Sequence, residues 1–268
     1  MTLTYHYVLS LAKRLPRAQA VTAPLLSGLA MALGLTLYPA QAEEPSHSQT
    51  TADRVNAAAA AKAWTPATLR NALNTLPAGN AERGRVVHQQ MFCASCHGEN
   101  GQAPTQNWPH LAGQKAAYTA KMLLDYQSRL RLESKRAELM HDIAVMMTPQ
   151  QIADVSSFYA ALPFPREDGT PRPAAIADAE RLVRQGDPSR LITPCASCHG
   201  VAGQGGKLEA AAIAGQNPLY FTRTLLDYQS GQRANDAAKG MRAFAKRLTR
   251  DEIEALARYY ADLPSDKK

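Results

Sequence analysis

The chain has 268 residues, 45% hydrophobic and 20% charged, with a formal charge of +7. These proportions exclude an intrinsically disordered chain, and four cysteines are too few for a disulfide-dense scaffold. Aromatic residues make up only 6%, thin for two ordinary cores, so something other than side chains is expected to fill part of the interior.

Residues 1–17 carry Lys13, Arg14 and Arg17 and no acid, and Ala18–Tyr38 is uncharged and rich in Leu and Ala. Ala40-Gln41-Ala42 then supplies the small-x-small pattern that signal peptidase reads. Residues 1–42 read as a secretory signal peptide cleaved after Ala42, which places the mature chain in the periplasm. The competing reading is an uncleaved anchor, but Pro24, Ser27 and two glycines dilute the apolar run. Cleavage removes three basic residues and leaves a balance of +4. That is too little for the concentrated basic face of a nucleic-acid binder.

Residues 43–65 read as a flexible lead-in. Thr65-Pro66 opens a short helix over Leu69–Leu76. The rest repeats itself. Cys93-Ala94-Ser95-Cys96-His97-Gly98 recurs as Cys195-Ala196-Ser197-Cys198-His199-Gly200. Ala112-Gly113-Gln114 recurs as Ala214-Gly215-Gln216, and Leu123–Ser128 as Leu225–Ser230. Tyr118 and Arg131 match Tyr220 and Arg233. A period this long means two similar lobes rather than a solenoid. The expected fold class is all-α, with domains at 66–163 and 174–268 and a Pro-rich linker at 164–173.

Helices are expected around Tyr118–Ser128 and Tyr220–Ser230. Capping boxes at Thr148–Gln151 and Thr249–Glu252 open the last helix of each lobe. Behind them, Ile152, Val155, Tyr159 and Leu162, and Ile253, Leu256, Tyr260 and Leu263, form apolar stripes at helical spacing.

Two thiols at i and i+3 on a helical turn face the same way and can add to the two vinyl groups of one haem. The histidine that follows then points its imidazole at the iron. Cys93, Cys96 and His97, and Cys195, Cys198 and His199, therefore read as two covalent haem c sites with histidine axial ligands. A four-thiolate zinc site or a redox-active dithiol pair explains neither the histidine after each pair nor the separate repeats.

The second lobe holds no other histidine after His199, and Met241 is its one methionine after Gly200. Met241 is thus the natural sixth ligand, and its repeat partner is Met140. Both are expected to enter the haem pocket from an equivalent loop. The first lobe alone also offers Met122, His141, Met146 and Met147. The rival reading makes Met140 and Met241 packing residues, which leaves each iron open on one side.

With these motifs in place, Ala81–Pro264 resembles the c4-type dihaem cytochromes, two class I cytochrome c domains in tandem. The Trp108–Gln114 stretch and the Leu-Leu-Asp-Tyr-Gln-Ser segments carry the likeness beyond the haem motifs. The resemblance implies an electron carrier rather than an enzyme. Its implied acceptor is a haem–copper terminal oxidase and its donor a quinol-oxidising complex or dehydrogenase, with peripheral membrane association. It also implies that the Pro109 carbonyl orients His97. Ala211 stands at the matching place for His199, a departure that keeps a carbonyl but loosens the turn.

Tyr118, Tyr220, Arg131 and Arg233 are candidates for haem propionate contacts or for the lobe interface. Lys239, Arg242, Lys246, Arg247 and Arg250 surround Met241, whereas Glu138, His141, Val145, Met146 and Pro149 hold the matching first-lobe positions. The second lobe is therefore expected to present a basic rim to an acidic partner. Alternatives of other classes are a peroxidase-like enzyme with one open haem and a fixed subunit of a dehydrogenase complex.

Overall fold

The computed structural model describes residues 63–165, 177–207 and 210–263. The expected signal peptide, most of the lead-in and most of the linker lie outside the described residues. The first lobe holds α1 (Pro66–Asn74), α2 (Ala81–Gln90), α3 (Ala94–His97), α4 (Ala116–Gln127), α5 (Lys135–Ala144) and α6 (Pro149–Ala161). The second holds α7 (Ala177–Arg184), a 3-10 turn at Pro188–Arg190, α8 (Ala196–His199), α9 (Pro218–Ser230), α10 (Gly240–Ala245) and α11 (Arg250–Ala261). Among the described residues β structure is limited to one bridge, Asp187 with Ile192.

The helices begin where the sequence places caps. Thr148 and Gln151 cap each other's backbone at the start of α6, and Thr249 and Glu252 do so at α11. A third capping box, Thr65 with Thr68, opens α1. Trp64, assigned by sequence to a flexible lead-in, is fixed: its indole Nε1 donates to Asp125 Oδ1 at 2.5 Å. Leu69 follows it inward and is buried.

Each lobe has its own core. In the first, Val87, Leu123, Ile152, Val155 and Tyr159 pack together. In the second, Leu182, Val183, Leu225, Ile253, Leu256 and Tyr260 do. Ile152 and Ile253 are fully buried, each stabilising the fold by about 1.5–3 kcal/mol.

In the first lobe α2 and α6 cross at Gly84, where a Cβ would lie 2.0 Å from the Asp154 carbonyl oxygen. Beside that crossing, Arg83 grips the Asp154 carboxylate with Nε at 2.8 Å and Nη2 at 2.7 Å. In the second lobe buried Ala179 lies on the corresponding helix, α7, which packs on α11. There the loop from Gln185 to Pro194 is tied to α11 by the Arg190 fork on Glu252, at 3.0 and 2.6 Å.

Candidate haem sites

α3 and α8 are single helical turns that begin directly after Cys93 and Cys195 and end on His97 and His199. The two cysteines of each pair therefore bracket one turn. Gly98 and Gly200 follow with φ of 72° and 80°, backbone that lets the chain leave the turn sharply. None of the four cysteines is in a disulfide. Burial raises the Cys93 thiol, and pushes Cys195 up to about 11. A redox-active dithiol needs the opposite shift. Among the described residues no three His, Cys, Asp or Glu side chains gather as a metal cluster, so the pairs do not converge on a zinc site.

Each histidine is held from behind. His97 Nδ1 donates to the Pro109 carbonyl at 3.0 Å, and His199 Nδ1 to the Ala211 carbonyl at 2.8 Å. The Ala211 departure thus keeps its hydrogen bond. That bond fixes the tautomer and leaves Nε2 unprotonated and able to bind a metal. Burial lowers the pKa of both imidazoles, favouring the neutral form that can bind iron.

One apolar cavity, open to solvent, is lined from both lobes. His97 and Met140 line it from the first lobe, His199 and Met241 from the second. Met140 and Met241 project from α5 and α10 rather than from loops. The side chain of Ser134 caps α5, which sets that helix running before Met140 is reached. His141 does not line the cavity: its Nδ1 donates to the Tyr126 carbonyl at 2.7 Å, and Arg129 meets its Nε2. Met122 and Met147 are buried wall residues. Met122 Sδ accepts from Arg131, Arg233 and Asn235.

The lobe junction carries the repeated polar residues. The Arg131 and Arg233 guanidiniums each lie 4.6 Å from a tyrosine ring centroid, those of Tyr126 and Tyr228. Arg131 pairs with Glu133, and Arg233 donates across the junction to the Tyr118 hydroxyl at 3.0 Å. Arg233 is 1% exposed, yet its Nη1 has no partner. Buried Arg131 lines the apolar cavity with Arg233 close by, and this positive charge suits a large flat ligand bearing carboxylates. The paired thiols, the backed imidazoles and the Arg131 charge in the wall fit haem.

Sequence reasoning missed Gln114 and Gln216 as functional residues. Gln114 Nε2 donates to the Ala212 carbonyl at 2.9 Å, and Gln114 Oε1 accepts from Ala212 N at 2.8 Å. Gln216 does the same to His110, at 3.0 and 2.9 Å. Their exact repetition in sequence was the available signal.

Two family models match the chain: cytochrome c over residues 81–162, and cytochrome c oxidase, cbb3-type, subunit III over 189–259. A cytochrome c4 of Thiocapsa roseopersicina is 34% identical over 64% of this chain and 86% of its own. A thiosulfate dehydrogenase electron acceptor of Stutzerimonas stutzeri is 32% identical over 65% of this chain and 79% of its own. The crystal structure of reduced cytochrome c4 from Pseudomonas stutzeri superposes with a TM-score of 0.62 at 29% identity. It covers 70% of this chain, and all of that structure is matched. With Cys93 and Cys96 placed to hold one haem c covalently and Cys195 and Cys198 a second, the chain belongs to the cytochrome c4 family of dihaem electron-transfer proteins.

Proposed function

We propose that the protein is a periplasmic carrier that passes single electrons between respiratory partners, with His97 and Met140 as axial ligands in the first lobe and His199 and Met241 in the second. The observation that carries this reading is the shared cavity, into which one histidine and one methionine from each lobe face. Haem c bound there supplies one-electron exchange between ferric and ferrous iron. The Met140 and Met241 sulfurs would favour the ferrous state and would leave no place for a substrate to bind. The Pro109 and Ala211 carbonyls hold each imidazole in one orientation, so little rearrangement accompanies a change in charge.

The exposed cations of the second lobe suit an acidic donor or acceptor. A haem–copper terminal oxidase is the acceptor we favour, and a quinol-oxidising complex or dehydrogenase the donor. The similarity to a thiosulfate dehydrogenase electron acceptor supports a sulfur-oxidising dehydrogenase on the donor side. The residues before Ala42 supply the export signal.

A redox titration of the purified protein, followed by absorption and EPR spectra, tests the ligand set. Two low-spin haems, each with methionine–iron charge transfer in the ferric state, are expected. One high-spin haem that binds cyanide rapidly would instead favour the peroxidase-like enzyme.

A further inference from the structure

The peptide group joining Pro109 to His110 is used at both ends. Its carbonyl receives His97 Nδ1–H, and its N–H donates to Gln216 Oε1 of the other lobe at 2.9 Å. The peptide joining Ala211 to Ala212 is used in the same way. Its carbonyl receives His199 Nδ1–H, and its N–H donates to Gln114 Oε1 of the first lobe at 2.8 Å. We propose that Gln114 and Gln216 are crosswise positioning residues, each orienting and polarising the axial histidine of the opposite lobe through one planar peptide.

The peptide is rigid about its C–N bond, so fixing its N–H fixes the direction of its carbonyl. Accepting the N–H also polarises the carbonyl and strengthens the bond it receives from the imidazole. A stronger bond at Nδ1 makes Nε2 a more basic ligand, which favours ferric iron. Each glutamine amide closes the grip by donating to the carbonyl one residue on, that of His110 or Ala212. Both side chains are less than one-tenth exposed, so water does not replace them readily.

The same glutamines also touch their own lobes. Gln114 Oε1 accepts from Lys115 N at the start of α4, and Gln216 Oε1 from Asn217 N at the start of α9, both at 2.9 Å. A role confined to starting those helices would disturb the lobe that carries the glutamine. The crosswise role disturbs the other one.

The test uses the intact holoprotein with Gln216→Met and, separately, Gln114→Met, which keep the side-chain volume. The primary readout is Nδ1–H exchange at His97 and His199 in the reduced protein, resolved by NMR. The second readout is the pair of reduction potentials. Gln216→Met should speed exchange at His97 and leave His199 unchanged, and Gln114→Met should do the reverse. One potential should rise in each variant, by on the order of a threefold change in the reduction equilibrium, about 28 mV at 59 mV per decade. Gln216→Glu keeps the acceptor for His110 N–H, and should hold His97 exchange near its original rate even if Gln216→Met folds poorly.

A change at the histidine of the mutated lobe, at both or at neither overturns the inference. It rests on both histidines being iron ligands. If that assignment fails, the wild-type reduced protein lacks the large ring-current shifts of haem-bound imidazole. If only the crosswise role fails, those shifts remain.

Discussion

Lys121 and Asp125 form an ion pair at 2.6 Å with side chains only 1% and 0% exposed. The pair lies one turn apart on α4, and the second lobe completes it: Lys121 Nζ also donates to the Asn235 carbonyl at 2.7 Å, and Asn235 Nδ2 to Asp125 at 2.6 Å. Trp64 closes the remaining side. The charges are therefore compensated by partners drawn from three separate stretches of chain.

Removing one member of this pair strands the other without water. Lys121→Met should cost about 3–5 kcal/mol of stability, read as a lowered midpoint in haem-monitored unfolding. Adding Asp125→Asn should recover part of that loss, because the remaining groups are then neutral. A single variant as stable as the wild type would show that the pair contributes nothing net.

Asp227 is the repeat partner of Asp125, with Arg223 where Lys121 stands and Glu133 in place of Asn235. Burial and then the Glu133 charge raise its pKa to about 6. Between about pH 4, the unfolded value, and pH 6, the folded chain holds a proton that the unfolded chain has released. The stability linked to that proton is full below about pH 4 and lost as pH rises through 6. Asp227→Asn should therefore stabilise the protein by about 1 kcal/mol above pH 7, after allowance for its partial exposure, and by nothing below pH 4. Denaturant midpoints measured at both pH values check the sign; equal shifts would refute it.

Gly84 sits where the backbones of α2 and α6 approach most closely. Gly84→Ala forces a methyl group into the Asp154 carbonyl and Phe158 Cβ. We expect a loss of about 1–3 kcal/mol or more from overpacking, together with a weaker Arg83–Asp154 contact. Thermal unfolding of the variant measures it. An unchanged midpoint would mean that the crossing yields more easily than its close contacts imply.

The basic rim is smaller than its sequence. Arg242 pairs with Asp236 at 2.6 Å and Arg250 with Glu254 at 2.7 Å, while Lys239, Lys246 and Arg247 are exposed. On the first lobe the corresponding surface exposes Leu139, Val145 and Met146. Lys246→Glu with Arg247→Glu should slow electron transfer to an acidic partner by about tenfold at low salt and flatten its ionic-strength dependence. A rate that responds to salt as before, with every candidate partner, removes the rim from docking.

Local chemistry explains what was legible beforehand. The haem motifs, the capping threonines and the stripe through Ile152 and Tyr159 depend on residues within a few turns of one another, so a single sequence displays them. Met140 and Met241 were singled out by counting and by the repeat, but their helical setting was missed because α5 and α10 are short and weakly patterned. Lys121 and Asp125 look like an ordinary solvated i,i+4 pair until the other lobe covers them. The use of Gln114 and Gln216 depends on which backbone lies opposite, and no spacing along the chain encodes that.

The cavity walls come from both repeats, and this has a consequence for any attempt to separate them. A half-molecule cut at the linker would carry its own attachment cysteines but would lack the opposite flank of its pocket. Solvent would then reach apolar wall that the other lobe covers in the intact tandem. The two repeats thus depend on each other to wall one pocket.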